Sequence, residues 1–133
     1  MNAPHDPSLE RAEQPDALHA VLDAACLQRL RELDPSGQAG LVDRVIRTYV
    51  QSLAKLIDQL TLARSTDDRT AMRHVAHTLK SSSASVGALA LADLCSDVER
   101  RLREDAASPP TEQLEAMARE GDRLLAALRP TTD

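Results

Sequence analysis

Aromatic residues are almost absent from this sequence. Among 133 residues there is one tyrosine, and there is no phenylalanine or tryptophan. Hydrophobic residues nevertheless make up 42% of the chain and charged residues 28%, a balance typical of a soluble globular protein and not of a disordered one. The core must therefore be built from Leu, Ala, Val and Ile, and a chain of this length has room for one domain.

Long apolar runs and an excess of basic residues are also missing. No apolar run approaches the roughly 20 residues that cross a bilayer, and the N-terminal sequence MNAPHDPSLERAEQPD lacks the basic start and apolar stretch of a secretory signal. Sixteen basic and 21 acidic residues give a net charge of -5, whereas a nucleic-acid binder needs a concentrated basic surface. We therefore expect a cytoplasmic protein that binds neither nucleic acid nor membrane.

The chain contains only two cysteines, Cys26 and Cys95, which lie far apart within apolar patterns. Since no export signal is present, we interpret both as reduced thiols of the core. The proline-containing start shows no periodicity. The sequence thus predicts a flexible tail over residues 1–15, a helical domain over 16–129 and a C-terminal tail over 130–133.

The domain shows apolar residues at helical spacing and no alternation typical of strands. Short turn-forming segments separate the helical stretches, and each stretch has one apolar face. Such faces can be buried only against one another, so we predict an all-α protein, an antiparallel four-helix bundle with an additional N-terminal helix packed across one end. The predicted stretches are 16–33, with a break near Asp23; 42–63, with Tyr49 in its apolar stripe; 68–86, with the stripe Met72, Val75, Leu79, Ser82 and Val86; one from about residue 88, with Leu91, Leu94, Cys95, Val98 and Leu102; and one after Pro109 and Pro110 that ends near Leu128.

The segment RHVAHTLKSSSASVGA, residues 73–88, has functional side chains on one side. On a helix that turns about 100° per residue, the stripe residues Val75, Leu79 and Val86 lie opposite His77. The sequence therefore predicts an exposed imidazole, with a lysine one turn later and small side chains around it. The residues placed in or beside the sector of His77 are Arg73, His74, Lys80, Ser81, Ala84 and Ala88.

These residue types suit the transfer of a phosphoryl group between proteins. A neutral imidazole is a nucleophile near pH 7, because its unperturbed pKa is about 6.5. Lys80 can offset the negative charge of a phosphorylated ring, and the short side chains of Ser81 and Ala84 let a partner approach His77 closely.

The run HTLKSSSASVGA, residues 77–88, resembles the signature of histidine phosphotransfer (HPt) domains of two-component phosphorelays. It has a histidine, an apolar residue two positions on, a lysine three positions on, small residues, and a glycine ten positions on. The continuation LALADLCSDVE resembles the next helix of the family, with Glu99 at an acidic or amide position. The resemblance covers about residues 20–128. It departs from the family at Ser81, where glycine is usual.

The resemblance implies a four-helix bundle without catalytic activity of its own. His77 would accept a phosphoryl group from the aspartate of a receiver domain and pass it to another, Lys80 would stabilise the phosphoryl charge, and Glu99 would orient the ring. The implied partners are receiver domains of response regulators and hybrid sensor kinases. We expect a monomer without a cofactor, with Mg²⁺ held by the receiver. The expected partner-binding residues are Arg73, His74, Ser81, Ala84 and Ala88.

These residues also allow other interpretations. The chain could be a helical adaptor that docks a receiver or kinase without carrying phosphate. Independently of this, the simplest interpretation of Glu99 is a surface charge. His74 and His77, with Glu99, could also bind a metal in a bundle enzyme. Tyr49 has the pattern of a packing residue only. No Gly-rich phosphate loop or kinase-like nucleotide motif is present, so we do not expect autophosphorylation with ATP.

Overall fold

The structure is a computed structural model, and it describes residues 21–104 and 108–128. These residues form five α-helices and no strand, so the all-α prediction is confirmed. The predicted tails, over 1–15 and 130–133, and the first part of the first helical stretch lie outside the described residues. The helices are α1 (Ala24–Glu32), α2 (Leu41–Ser65), α3 (Arg69–Val86), α4 (Leu89–Glu104) and α5 (Thr111–Leu128).

The long helices α2 to α5 form the predicted bundle. α3 packs against α2 and α4, and α5 packs against the same two helices, so the four apolar faces meet in one core. Short connections make consecutive helices antiparallel neighbours. Leucine, valine, isoleucine, alanine and methionine dominate the buried residues, as the scarcity of aromatics predicted. Within the described residues, no helix has the length and apolar character that crossing a membrane requires.

The short helix α1 packs against one end of this bundle. Asp23 caps it: the backbone there is extended, and its carboxylate accepts a hydrogen bond from the Cys26 N–H at 3.1 Å. The Asp23 N–H in turn donates to the carbonyl oxygen of Gly87, just after α3, at 2.8 Å. The predicted break near Asp23 therefore marks the start of α1, and the capping residue also joins the helix to the bundle.

Capping residues also set the ends of α3. The carboxylate of Asp68 accepts a hydrogen bond from the Ala71 N–H at 3.0 Å and caps the first turn. At the other end Gly87 adopts a left-handed conformation with φ 90°, which ends the helix and lets the chain turn into α4.

The core contains one buried polar contact that the apolar pattern did not predict. Ser82, placed in the stripe by sequence, is half-buried, whereas Ser83 is fully buried and its Oγ lies 2.7 Å from the Tyr49 hydroxyl. Helical spacing allows either serine, since Ser82 and Ser83 follow Leu79 by three and four residues, and the contact with Tyr49 places Ser83 in the core. Tyr49 is therefore a hydrogen-bonding residue as well as a packing one, and burial raises its pKa to about 12.

Both cysteines are buried and free of disulfide bonds, as predicted. Burial raises the pKa of Cys95 to about 12, and the nearby Glu99 carboxylate adds to this shift. The thiol therefore stays protonated, and unreactive as a nucleophile, at neutral pH.

Candidate functional site

His77 lies near the middle of α3, and 65% of its side-chain surface is exposed. Its neighbours Val75, Ala76 and Leu79 are buried and fix this part of the helix against α2 and α4. Because an α-helix turns about 100° per residue, a helix buried on that side must present residue 77 outward. The ring therefore stands on the surface, while rigid packing holds the backbone beneath it.

Glu99 of α4 contacts this ring from below. Its Oε2 lies 2.8 Å from Nδ1 of His77, and only 9% of its side-chain surface is exposed. An ionised carboxylate can only accept a hydrogen bond, so the proton of a neutral His77 ring lies on Nδ1. The other nitrogen, Nε2, then carries the lone pair.

Lys80 contacts the second oxygen of the same carboxylate. Its Nζ donates to Oε1 of Glu99 at 2.6 Å, and about a third of the lysine side chain is exposed. This hydrogen bond is the main cause that lowers the pKa of Glu99; burial opposes it, and the contact with His77 lowers the pKa further. Glu99 is therefore an anion at neutral pH, with one partner on each oxygen.

The surface around the ring carries most of the residues predicted to bind a partner. An open concavity is lined by Thr70, Arg73, His74, His77 and Glu99. Two short side chains, Ser81 and Ala84, are exposed on α3 in the turns after His77. The exposed ring thus has basic groups toward the start of α3 and small side chains toward its end.

Ala88 does not belong to this surface, and its predicted position beside His77 is wrong. It is 1% exposed, and it follows Gly87, where the left-handed backbone ends α3. The angular position assumed a helix that continued through residue 88. The turn instead directs Ala88 into the core.

Two features of Glu99 were not predicted. The simpler interpretation of Glu99 as a surface charge is wrong, because the residue is 7% exposed. Its ion pair with Lys80 was not predicted either. A sequence signal existed, since Glu99 follows the buried Cys95 by one helical turn and so lies at the edge of the apolar stripe of α4.

A metal site built on His74, His77 and Glu99 would need the three side chains to converge on one point. Within residues 21–104 and 108–128, no three His, Cys, Asp or Glu side chains are grouped so that they could hold a metal ion. The thiol of Cys95, one turn before Glu99, is fully buried in the core and so does not reach the surface on which His74 and His77 lie.

The family model of the Hpt domain matches residues 44–129. Among solved structures, the chain is similar to the crystal structure of histidine-containing phosphotransfer protein B (HptB) from Pseudomonas aeruginosa PAO1. The two share 26% sequence identity and align with a TM-score of 0.69 over 81% of this chain and 90% of that one. A comparison with curated protein sequences finds no match.

The chain belongs to the Hpt domain family. It is a histidine phosphotransfer protein of the phosphorelay type, a class of phosphoryl carrier that interacts with receiver domains. The resemblance seen in residues 77–88 is thereby confirmed over most of the folded chain.

Proposed function

We propose that His77 accepts a phosphoryl group from the aspartyl phosphate of one receiver domain and passes it to an aspartate of another. The observation that carries this proposal is the exposed ring whose Nδ1 is held by the buried Glu99 carboxylate. That contact orients the ring and directs the proton to Nδ1, so that Nε2 is the available nucleophile.

In the proposed step, the lone pair of Nε2 forms a bond to phosphorus while the bond from phosphorus to the receiver carboxylate oxygen breaks. The bonding electrons return to that carboxylate. The proton on Nδ1 stays, so the phosphorylated ring carries a positive charge, which faces Glu99. Transfer to the next receiver reverses these changes and releases a neutral imidazole, a far better leaving group than its anion.

Nearby residues of α3 have supporting roles in this proposal. Lys80 provides positive charge for the phosphoryl group, one turn from the ring. Arg73 and His74 extend the basic surface toward the partner, and Ser81 and Ala84 allow its close approach. Ser81 stands where the family usually has glycine, and its hydroxyl can also donate a hydrogen bond to phosphate.

The receiver partner would hold the Mg²⁺ used in transfer, and we propose that this chain contributes no cofactor of its own. A cytoplasmic location and a monomeric state stay predictions from the sequence.

The test is a transfer assay with a receiver domain phosphorylated on its aspartate. Wild-type protein should take up the label, and His77→Gln should lose it by at least about a hundredfold, since no other group replaces the nucleophile. His74→Gln is the matched control: it removes an exposed imidazole from the same helix one turn earlier. Because His74 is proposed to bind the partner and not to carry phosphate, its loss should weaken receiver binding only, and at a saturating receiver concentration the variant should keep most of the transfer.

The same assay separates the carrier from a docking adaptor. An adaptor would bind the receiver equally well before and after the His77→Gln substitution, and neither protein would take up label. Full labelling of His77→Gln would contradict the proposal.

A further inference from the structure

Glu99 contacts both His77 and Lys80, and phosphorylation of His77 affects these two contacts in opposite ways. Oε2 faces Nδ1 of His77 at 2.8 Å, and Oε1 accepts from Nζ of Lys80 at 2.6 Å. In the unphosphorylated chain the positive charge of Lys80 and the negative charge of Glu99 balance each other. The lysine is therefore already engaged before any phosphoryl group arrives.

Phosphorylation changes this balance. The phosphoryl group brings close to two negative charges, and the ring gains one positive charge as its Nδ1–H is retained. The ring then becomes a cationic partner for Glu99, while the phosphoryl oxygens present Lys80 with a stronger anion than a single carboxylate. Lys80 can make the change because about a third of its side chain is exposed and it lies one turn from His77.

On the basis of the proposed function, we infer that Lys80 exchanges partners during phosphotransfer. It is held by Glu99 in the unphosphorylated protein and moves to the phosphoryl group on His77, while Glu99 stays with Nδ1–H. Glu99 is thus a positioning residue with two roles: it keeps the proton on the ring, and it competes with the phosphoryl group for the lysine. The competition lowers the stability of the phosphorylated form relative to a chain with a free lysine.

Other titratable and charged groups also face this cluster. Arg73 and His74 of α3 line the same concavity as His77 and Glu99. The Cys95 thiol lies one turn before Glu99 on α4 and stays protonated, since burial raises its pKa to about 12. None of these groups is changed in the test below, so their contribution is common to all the variants compared.

The test is a double-mutant cycle on the phosphotransfer equilibrium. Wild type, Glu99→Gln, Lys80→Met and the double variant are each mixed with one phosphorylated receiver domain until the label stops redistributing, and the labelled fraction of His77 is measured. Glutamine retains a hydrogen-bond acceptor for Nδ1–H but carries no charge.

Partner exchange predicts a coupling of definite sign. With Lys80 present, Glu99→Gln removes the counterion of the ring but also frees the lysine, and the two effects oppose each other. In the Lys80→Met background only the first effect remains. The equilibrium loss caused by Glu99→Gln should therefore be about threefold larger in that background, as expected of a partly exposed ion pair that exists only before phosphorylation.

Two results would overturn the inference. Equal losses in both backgrounds would mean that Lys80 keeps the same partner throughout. A larger loss with Lys80 present would mean that lysine and carboxylate act together on the phosphoryl group. Lys80→Gln gives the same cycle if methionine disturbs the fold at this partly exposed position.

The result is distinguishable from failure of the proposed function, which would appear as wild-type protein without label on His77.

The matched control cycle uses Glu120 and Arg123, an ion pair on α5 with contacts of 2.9 and 2.6 Å. Glu120→Gln, Arg123→Met and the double variant should leave the transfer equilibrium unchanged within about 1.5-fold, because this ion pair shares no partner with His77, Lys80 or Glu99.

Discussion

His77 and Glu99 belong to different helices, and their side chains meet at 2.8 Å where α3 packs against α4. The histidine is mostly exposed and the glutamate is mostly buried. A carboxylate in this position loses much of its hydration, which is unfavourable without compensation. Lys80 and His77 supply that compensation, so the contacts proposed to orient the ring also make the charge of Glu99 tolerable.

The first prediction concerns the pH dependence of stability. Lys80, and to a smaller extent His77, hold the pKa of Glu99 below its usual range in the folded chain. The unfolded chain therefore binds more protons at Glu99 than the folded chain does. The stability that the ionised Glu99 contributes is fully present above the unfolded pKa of about 4.3. It is lost as the pH falls through the lower, folded pKa.

We therefore expect wild type to be more stable than Glu99→Gln at pH 7, with a difference that shrinks as the pH falls below about 4.3. Urea denaturation of both proteins over a pH series measures this. A stability difference that stays constant down to acid pH would contradict the assigned charge.

The second prediction concerns the buried hydrogen bond between Tyr49 and Ser83, 2.7 Å long. Either Tyr49→Phe or Ser83→Ala leaves one buried hydroxyl without its partner, and each should lower the free energy of unfolding by about 1–3 kcal/mol. The double variant leaves neither hydroxyl, so it should lose less than the sum of the two. Chemical denaturation measures the cycle, and simple additivity would show that the bond is energetically unimportant.

The third prediction concerns Gly87, where α1 meets the end of α3. The residue has φ 90°, and a Cβ there would lie 2.8 Å from the backbone nitrogen of Asp23 and 3.0 Å from Cβ of Cys26. Gly40 is the matched control: its φ is 64°, and a Cβ would meet nothing within 4 Å.

Gly40→Ala should lower the free energy of unfolding by about 1 kcal/mol, because alanine is strained in the left-handed conformation. Gly87→Ala should cost about 1–3 kcal/mol more, because the contact with α1 must also open. Thermal or chemical unfolding of the two variants decides this. Equal losses at the two positions would mean that α1 is not packed as described.

The helices themselves could be predicted from the sequence because burial imposes a regular spacing. The apolar spacing over residues 42–63 predicted α2, which spans Leu41–Ser65, and the predicted break near Asp23 marks the start of α1. The same spacing predicted that His77 faces away from the core, and 65% of its side chain is exposed.

Three features depended on information that spacing does not carry. Ser82 and Ser83 follow Leu79 by three and four residues, and either spacing suits one buried face; packing against Tyr49 selects Ser83 for burial. The contact of Glu99 with His77 and Lys80 depends on how α3 and α4 align along their length, which one sequence does not determine. The position of Ala88 was predictable from Gly87, since glycine commonly ends helices in a left-handed conformation, and Ala88 then no longer follows the helical angle counted from His77.

The most direct measurement of the central claim is nitrogen and phosphorus NMR of the phosphorylated protein with ¹⁵N-labelled histidine. We expect phosphorus to be coupled to Nε2 of His77, with the proton on Nδ1 retained and sensitive to Glu99→Gln. Phosphorus bonded to Nδ1 of His77, to His74, or to no histidine would contradict the account.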